Sequence, residues 1–206
     1  MITLQFDGLF RCLSEDCPEE TNSPKDPRMI ASAKSGVMCY GWLIYAGSRL
    51  IARGHGGFVR REEASSNIAE YLALIQGLEA LLDMGLERET IEVIGDARSV
   101  IDQMTGMAAV NAPSTRPLYR KARQLAGHFP HMNWCWTPRR KNHAADLLTR
   151  RAMKQIRSDP ERYRAAIQRI ETPSLPRRLH KHLFSLLDLR VFQSTGMAPE
   201  IGRAHV

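Results

Sequence analysis

The chain has 206 residues, 43% of them apolar, enough for one well-packed domain with an extension and too few for several large domains. Lysine and arginine outnumber aspartate and glutamate by 29 to 22, a net charge of +7 that suits a polyanionic partner without identifying one. No apolar run approaches the length of a membrane helix, and four cysteines are too few for a disulfide scaffold.

Residues 1–7 carry no basic leader, and a cytoplasmic location is the expectation from them. Alternation over residues 2–6 predicts a strand ending at Asp7-Gly8. Residues 9–35, polar and interrupted by Pro18, Pro24 and Pro27, read as a long surface loop. Within it Cys12 and Cys17 lack the second pair of ligands that a zinc site needs. Residues 36–46 predict a strand, Gly47-Ser48 a tight turn, and residues 50–59 the return strand of a hairpin.

Ser65, Ser66 and Asn67 offer capping side chains to a helix whose apolar residues, Ile68, Leu72, Ile75, Leu78, Leu81 and Leu82, recur every three or four positions. That period predicts one buried face, and Gly85 ends the helix. A strand over residues 91–94 runs into Gly95-Asp96. A short helix over 97–104 follows and closes at Gly106. A helix over 113–127 turns Leu118, Ala122 and Leu125 inward and Arg116, Arg120, Lys121 and Arg123 outward. Residues 132–137 predict a fifth strand, stopped by Pro138. The basic loop Arg139-Arg140-Lys141-Asn142-His143 leads into a long helix from Ala144. Cys39 and Cys135, in apolar strand-like runs, read as packing residues. This alternation predicts an α/β fold, a mixed sheet with helices on its faces.

Past Met153 the pattern changes. A helix is predicted over 158–170, Pro173 and Pro176 break the chain, and residues 177–189 place Leu179, Leu183, Leu186 and Leu187 at helical spacing among basic residues. The domain plan is one unit over 1–154, with an insertion at 9–35, and a basic helical extension over 155–206. The extension is either a basic arm for a polyanion or a helical pair that covers the sheet or an oligomer interface.

Four acids stand in similar places: Asp7 and Asp96 at strand ends, Glu70 and Asp146 in first helical turns. Parallel pairing of the first and fourth strands would bring their ends to one sheet edge, where open α/β sheets build their sites. Carboxylates gathered there repel one another, and hard divalent cations such as Mg²⁺ or Mn²⁺ resolve the conflict. Two ions roughly 4 Å apart would clamp the attacking and leaving oxygens of a phosphodiester. The bland alternative is four unrelated solvated acids.

The segments Phe6-Asp7-Gly8, Ser66-Asn67-Ile68-Ala69-Glu70-Tyr71-Leu72-Ala73-Leu74 and Ile91-Glu92-Val93-Ile94-Gly95-Asp96 together resemble the ribonuclease HI family. Gly77-Leu78-Glu79-Ala80, Arg116-Pro117-Leu118-Tyr119, Trp136-Thr137-Pro138-Arg139, Asn142 and Ala145-Asp146 extend the likeness, which is to the compact bacterial reverse-transcriptase-like branch and covers about residues 2–154. The resemblance implies a five-stranded sheet of order 3-2-1-4-5. It also implies metal-dependent endonucleolytic hydrolysis of the RNA strand of RNA/DNA hybrids, leaving 5′-phosphate and 3′-hydroxyl ends. It places the catalytic, metal-binding acids at Asp7, Glu70, Asp96 and Asp146, with two Mg²⁺ ions as cofactor. Hybrid contacts are expected at Ser66, Asn67, Arg98 and Asn142, and phosphate contacts at Arg139, Arg140 and Lys141 beside the site. The family's mobile histidine falls on Trp136, and His143 is the nearby candidate for an auxiliary role. The expected partner is the hybrid, with no membrane, and the sequence leaves the oligomeric state open, a monomer among the possibilities.

The chain also departs from the pattern. Leu9-Phe10-Arg11 stand where small polar residues help hold RNA, Ala97-Arg98 replace Ser-Gln, and no basic handle helix separates Gly106 from Pro113. Contacts to the 2′-hydroxyl distinguish RNA from DNA, so these changes bear on substrate choice. A second expectation is therefore a ribonuclease H-like module that binds nucleic acid or protein with lost or altered nuclease specificity.

Overall fold

The computed structural model describes residues 1–12, 36–60, 64–159, 161, 164–165, 181–182 and 192–193. Strand β1 (Ile2–Cys12) lies mid-sheet, antiparallel to β2 (Gly36–Ala46) and parallel to β4 (Ile91–Gly95). Strand β3 (Arg49–Arg60) pairs antiparallel with β2, and β5 (Met132–Trp136) pairs parallel with β4. The expected order 3-2-1-4-5 results. In the parallel register Ile2 faces Ile91 and Phe6 faces Gly95, so the next residues, Asp7 and Asp96, leave the pairing side by side.

Strand β2 shows why helices cover both faces. Met38, Tyr40, Trp42 and Ile44 enter the main core with helix α1 (Ser66–Asp83), while Val37, Cys39 and Leu43 pack under helix α4 (His143–Ser158). Successive apolar residues on alternating sides are what a strand buried twice over requires. The Ser65 side chain accepts from the Ile68 amide at 3.3 Å and caps α1. Gly85, at φ +68°, takes the left-handed conformation beyond the helix end.

The one-faced burial expected of α1 is corrected. Every residue from Ile68 to Ile75 is buried, because α3 (Arg116–Ala126) lies over the side turned from the sheet. There Tyr71 meets Tyr119 edge-on at 6.5 Å between ring centroids, and Lys121 reaches Glu79 at 3.1 Å. Leu118, Ala122 and Leu125 point inward as expected. Helix α2 (Arg98–Met104) is short and ends before Gly106 at φ +80°.

Other expectations also change. Strand β1 does not stop at Asp7-Gly8 but runs to Cys12 along Gly36–Gly41, with Leu9 and Phe10 packing into different apolar clusters. Residues 9–12 therefore belong to the sheet, and the remainder of the expected loop, 13–35, lies outside the described residues. Cys135 is exposed rather than packed, because β5 is the sheet margin. In the extension, β6 (Lys181–His182) and β7 (Phe192–Gln193) pair with β3, so the helix expected over 177–189 gives way to extended chain at 181–182. The open edge of β3 offers unpaired amides and carbonyls, and these short strands satisfy some of them. Glu161, Arg164 and Ala165 are helical, and the rest of that prediction falls outside the described residues. Among the described residues no helix is long and apolar enough to cross a membrane.

Candidate active site

The parallel β1–β4 pair delivers Asp7 and Asp96, and α1 brings Glu70 over them. Glu70 sits in the second turn of α1, not the first as the sequence suggested, since the helix starts at Ser66. Gly8 makes this approach possible. A Cβ there would lie 2.3 Å from the Ala69 carbonyl carbon and the Glu70 nitrogen, so the helix backbone rests directly on the strand. Carboxylate oxygens of Asp7, Glu70 and Asp96 lie within 4.8 Å of one another.

Electrostatics follow from this crowding. Asp7 is only 2% exposed, and burial, then Asp96 and Asp146, push its pKa up to about 7. The hydroxyl of Thr149, 3.1 Å from Asp7 Oδ2, and the charge of Arg139 oppose the shift. Burial also raises Glu70 well above the usual carboxylate range, with Asp7 and Asp96 adding to it and the Gly8 amide donating against it. Its Oε2 is buried with no hydrogen-bond partner among the described residues. A carboxylate with an orphaned oxygen, grouped with two further carboxylates, fits a hard divalent cation, which takes oxygen ligands.

Asp146 stands beside this group rather than within it. Arg139 Nη2 donates to its Oδ1 at 2.9 Å and Arg150 Nε to its Oδ2 at 2.6 Å. Burial raises the Asp146 pKa, but the hydrogen bonds and charges of Arg150 and Arg139 outweigh it and hold the carboxyl below its ordinary value.

Asn142 is a correction. It is fully buried, and its Nδ2 donates to the Phe6 carbonyl at 2.8 Å and to Asp96 Oδ1 at 3.1 Å. It ties the loop before α4 to the ends of β1 and orients Asp96, so it is enclosed instead of facing nucleic acid. The remaining expected contacts are placed on the surface. Ser66, Arg98, Arg139, Arg140, Lys141 and His143 are exposed, and Asn67 accepts from Ser99 Oγ at 3.0 Å. Arg139, Arg140 and Lys141 form a single 3-10 turn.

Two residues escaped the sequence reading, Thr149 and Arg150. Both lie one helical turn beyond Asp146, and the three- and four-residue spacing on α4 was the signal available.

The raised acids give a pH expectation. A carboxyl whose folded pKa exceeds its unfolded value keeps its proton longer in the fold, so stability falls as pH rises between the two. For Asp7 that window runs from 3.8 to about 7. In chelator the thermal midpoint should drop from pH 5 to pH 8. Added Mn²⁺ should raise it far more at pH 8, where the ligands are ionised, than at pH 5. Equal stabilisation at both pH values, read by differential scanning fluorimetry, would argue against ion binding by these acids.

Comparisons with known proteins agree with this architecture. The family model described as Reverse transcriptase-like matches residues 45–152, just over half of the chain. Bifunctional protein Rv2228c of Mycobacterium tuberculosis is 38% identical over 90 residues, 44% of this chain and 24% of that protein. The chain thus spans about a quarter of the length of the first curated relatives it matches. Ribonuclease HI of Halobacterium salinarum is 36% identical over 118 residues, 57% of each chain. The solved N-terminal RNase H domain of the Mycobacterium tuberculosis protein superposes with a TM-score of 0.58 at 27% identity, covering 81% of this chain and 96% of that one. By the family model and the sheet order together, the chain belongs to the reverse transcriptase-like family and carries the ribonuclease H fold.

Proposed function

We propose that the chain is a divalent-metal-dependent ribonuclease H, an endonuclease that hydrolyses the RNA strand of RNA/DNA hybrids. The observation that carries this reading is the convergence of Asp7, Glu70 and Asp96 on one sheet edge, with an unsatisfied buried oxygen among them. The likeness to a ribonuclease HI supports it. Asp7, Glu70 and Asp96 would hold the metal, with Asp146 as a fourth ligand beside them and Mg²⁺ the expected ion. When bound, such ions lower the pKa of water and stabilise a departing oxygen.

The protein's own groups do the rest. Thr149 and Asn142 fix the rotamers of Asp7 and Asp96, so the site is organised before substrate arrives. Arg98, just after Asp96, and Arg140 and Lys141, on the turn before Asp146, are exposed and would supply positive charge for the nucleic-acid backbone. Arg139 is already engaged by Asp146 and contributes mainly by holding it.

The test is cleavage of matched RNA/DNA hybrid, double-stranded RNA, single-stranded RNA and DNA with Mg²⁺ or Mn²⁺. The expected result is cut RNA only in the hybrid, 5′-phosphate ends, and no reaction in chelator. Hybrid binding without cleavage under either ion would replace the proposal with a nucleic-acid-binding module.

A further inference from the structure

Between residues 139 and 157 the chain has seven lysines and arginines against a single acid, a net of +6 out of the whole chain's +7. The acid is Asp146, buried and already paired with Arg139 and Arg150. Four of the basic residues, Arg150, Arg151, Lys154 and Arg157, lie on α4, and all four are exposed. Arg150, Lys154 and Arg157 follow one another at intervals of four and three, so they form one row on the helix. Like charges at that spacing weaken a helix, and no exposed acid on α4 offsets them. The helix dipole favours Arg157 in the last turn but not Arg150 near the middle. On α3, by contrast, Lys121 reaches Glu79 and Arg123 donates to the Met104 carbonyl, so part of its charge is used within the protein. Lys154 and Arg157 have no ion-pair partner among the described residues.

The row starts at the acids and leads away from them. Thr149 of α4 bonds Asp7, and one turn further Met153 clusters with Cys39, the strand partner of Leu9. Helix α4 therefore follows β1 past Phe6, where the pairing with β4 ends. From Asp146 to Arg157 its axis advances roughly 16 Å at about 1.5 Å per residue, the length of about five base pairs at 3.4 Å each. We propose that Lys154 and Arg157 form a phosphate rail that grips the backbone of a nucleic-acid duplex a few base pairs to one side of the acids. Duplex phosphates supply negative charge at regular intervals, and contact with them needs neither a particular sequence nor an unpaired base. The proposal rests on the nuclease reading for the identity of the duplex, but not for binding itself.

The experiment separates charge from packing. Lys154→Gln with Arg157→Gln removes both charges, whereas Lys154→Arg with Arg157→Lys keeps them on altered side chains. Binding of an RNA/DNA hybrid long enough to cover the rail is read by fluorescence anisotropy in chelator, where nothing is cut, between about 50 and 200 mM salt. The Gln pair should bind about tenfold more weakly at low salt, and its slope of log affinity against log salt should be shallower by about 1.8, the value for two phosphate contacts. The charge-keeping pair should match the parent in both. With Mn²⁺ the Gln pair should raise KM by about the same factor as it weakens binding at matched salt. Equal affinity and slope in the parent and the Gln pair would overturn the proposal and make the row a solvated face. A loss shared by both pairs, or one confined to kcat, would also overturn it, because the effect would then lie in the packing of α4. Wild-type binding that depends on the two charges, with no substrate cleaved, would uphold the rail and reject the nuclease. Hybrid cleavage indifferent to both charges would do the reverse.

Discussion

Asp96→Asn should fold like the parent and cleave hybrid at least about 10³-fold more slowly, because several kcal/mol of charge stabilisation depend on the anionic ligand. The substitution keeps the side-chain shape at the end of β4, and the amide oxygen can still accept from Asn142 Nδ2, as Asp96 Oδ1 does. It also removes one of the charges that push Asp7 and Glu70 upward. The metal-free variant should therefore melt no lower than the parent at pH 8. The two readings together make the prediction specific, since a merely structural acid would cost stability and spare the rate. Cleavage within tenfold of the parent, by a fluorogenic hybrid, would place the reaction elsewhere.

Gly8→Ala should damage both the fold and the site. The added methyl would meet main-chain atoms at Ala69 and Glu70, which cannot rotate away as a flexible side-chain end can. Overpacking of this kind costs about 3 kcal/mol, and the relief available is a displacement of α1 that carries Glu70 from Asp7 and Asp96. The expected outcome is a lower midpoint in urea and a hybrid-cleavage rate reduced by about 10²-fold, with weaker Mn²⁺ binding by calorimetry. Wild-type stability would mean that the strand and helix are not in the contact described.

Much of this was readable in the chain. The 36–46 run gave its strand boundaries because uninterrupted apolar residues have few other uses at that length, and the turn at Gly47 is fixed by a conformation that glycine adopts readily. The approach of Asp7 to Asp96 followed from expecting their strands to lie parallel. Less local features were hidden. The continuation of β1 past Asp7 depends on a partner, Gly36–Gly41, beyond the residues that separate them in sequence. The burial of Asn142 depends on two acceptors on β1 and beside β4, so a polar residue in a basic loop read as a surface contact. Pairing of residues 181–182 with β3 overrode a helical leucine spacing, as tertiary partners commonly override local preference.

The enclosure of α1 between sheet and α3 has a consequence for how the acids would accept the proposed cations. Glu70 rides on the stretch of α1, Ile68 to Ile75, in which every residue is buried, whereas Asp146 is steadied by Arg139 and Arg150, whose side chains are 63% and 62% exposed. One wall of the cup is thus masonry and the other a hinged panel. Under the proposed function, discrimination between ions of unequal radius would fall to the firm wall, while the panel on α4 would take up the difference in coordination distance.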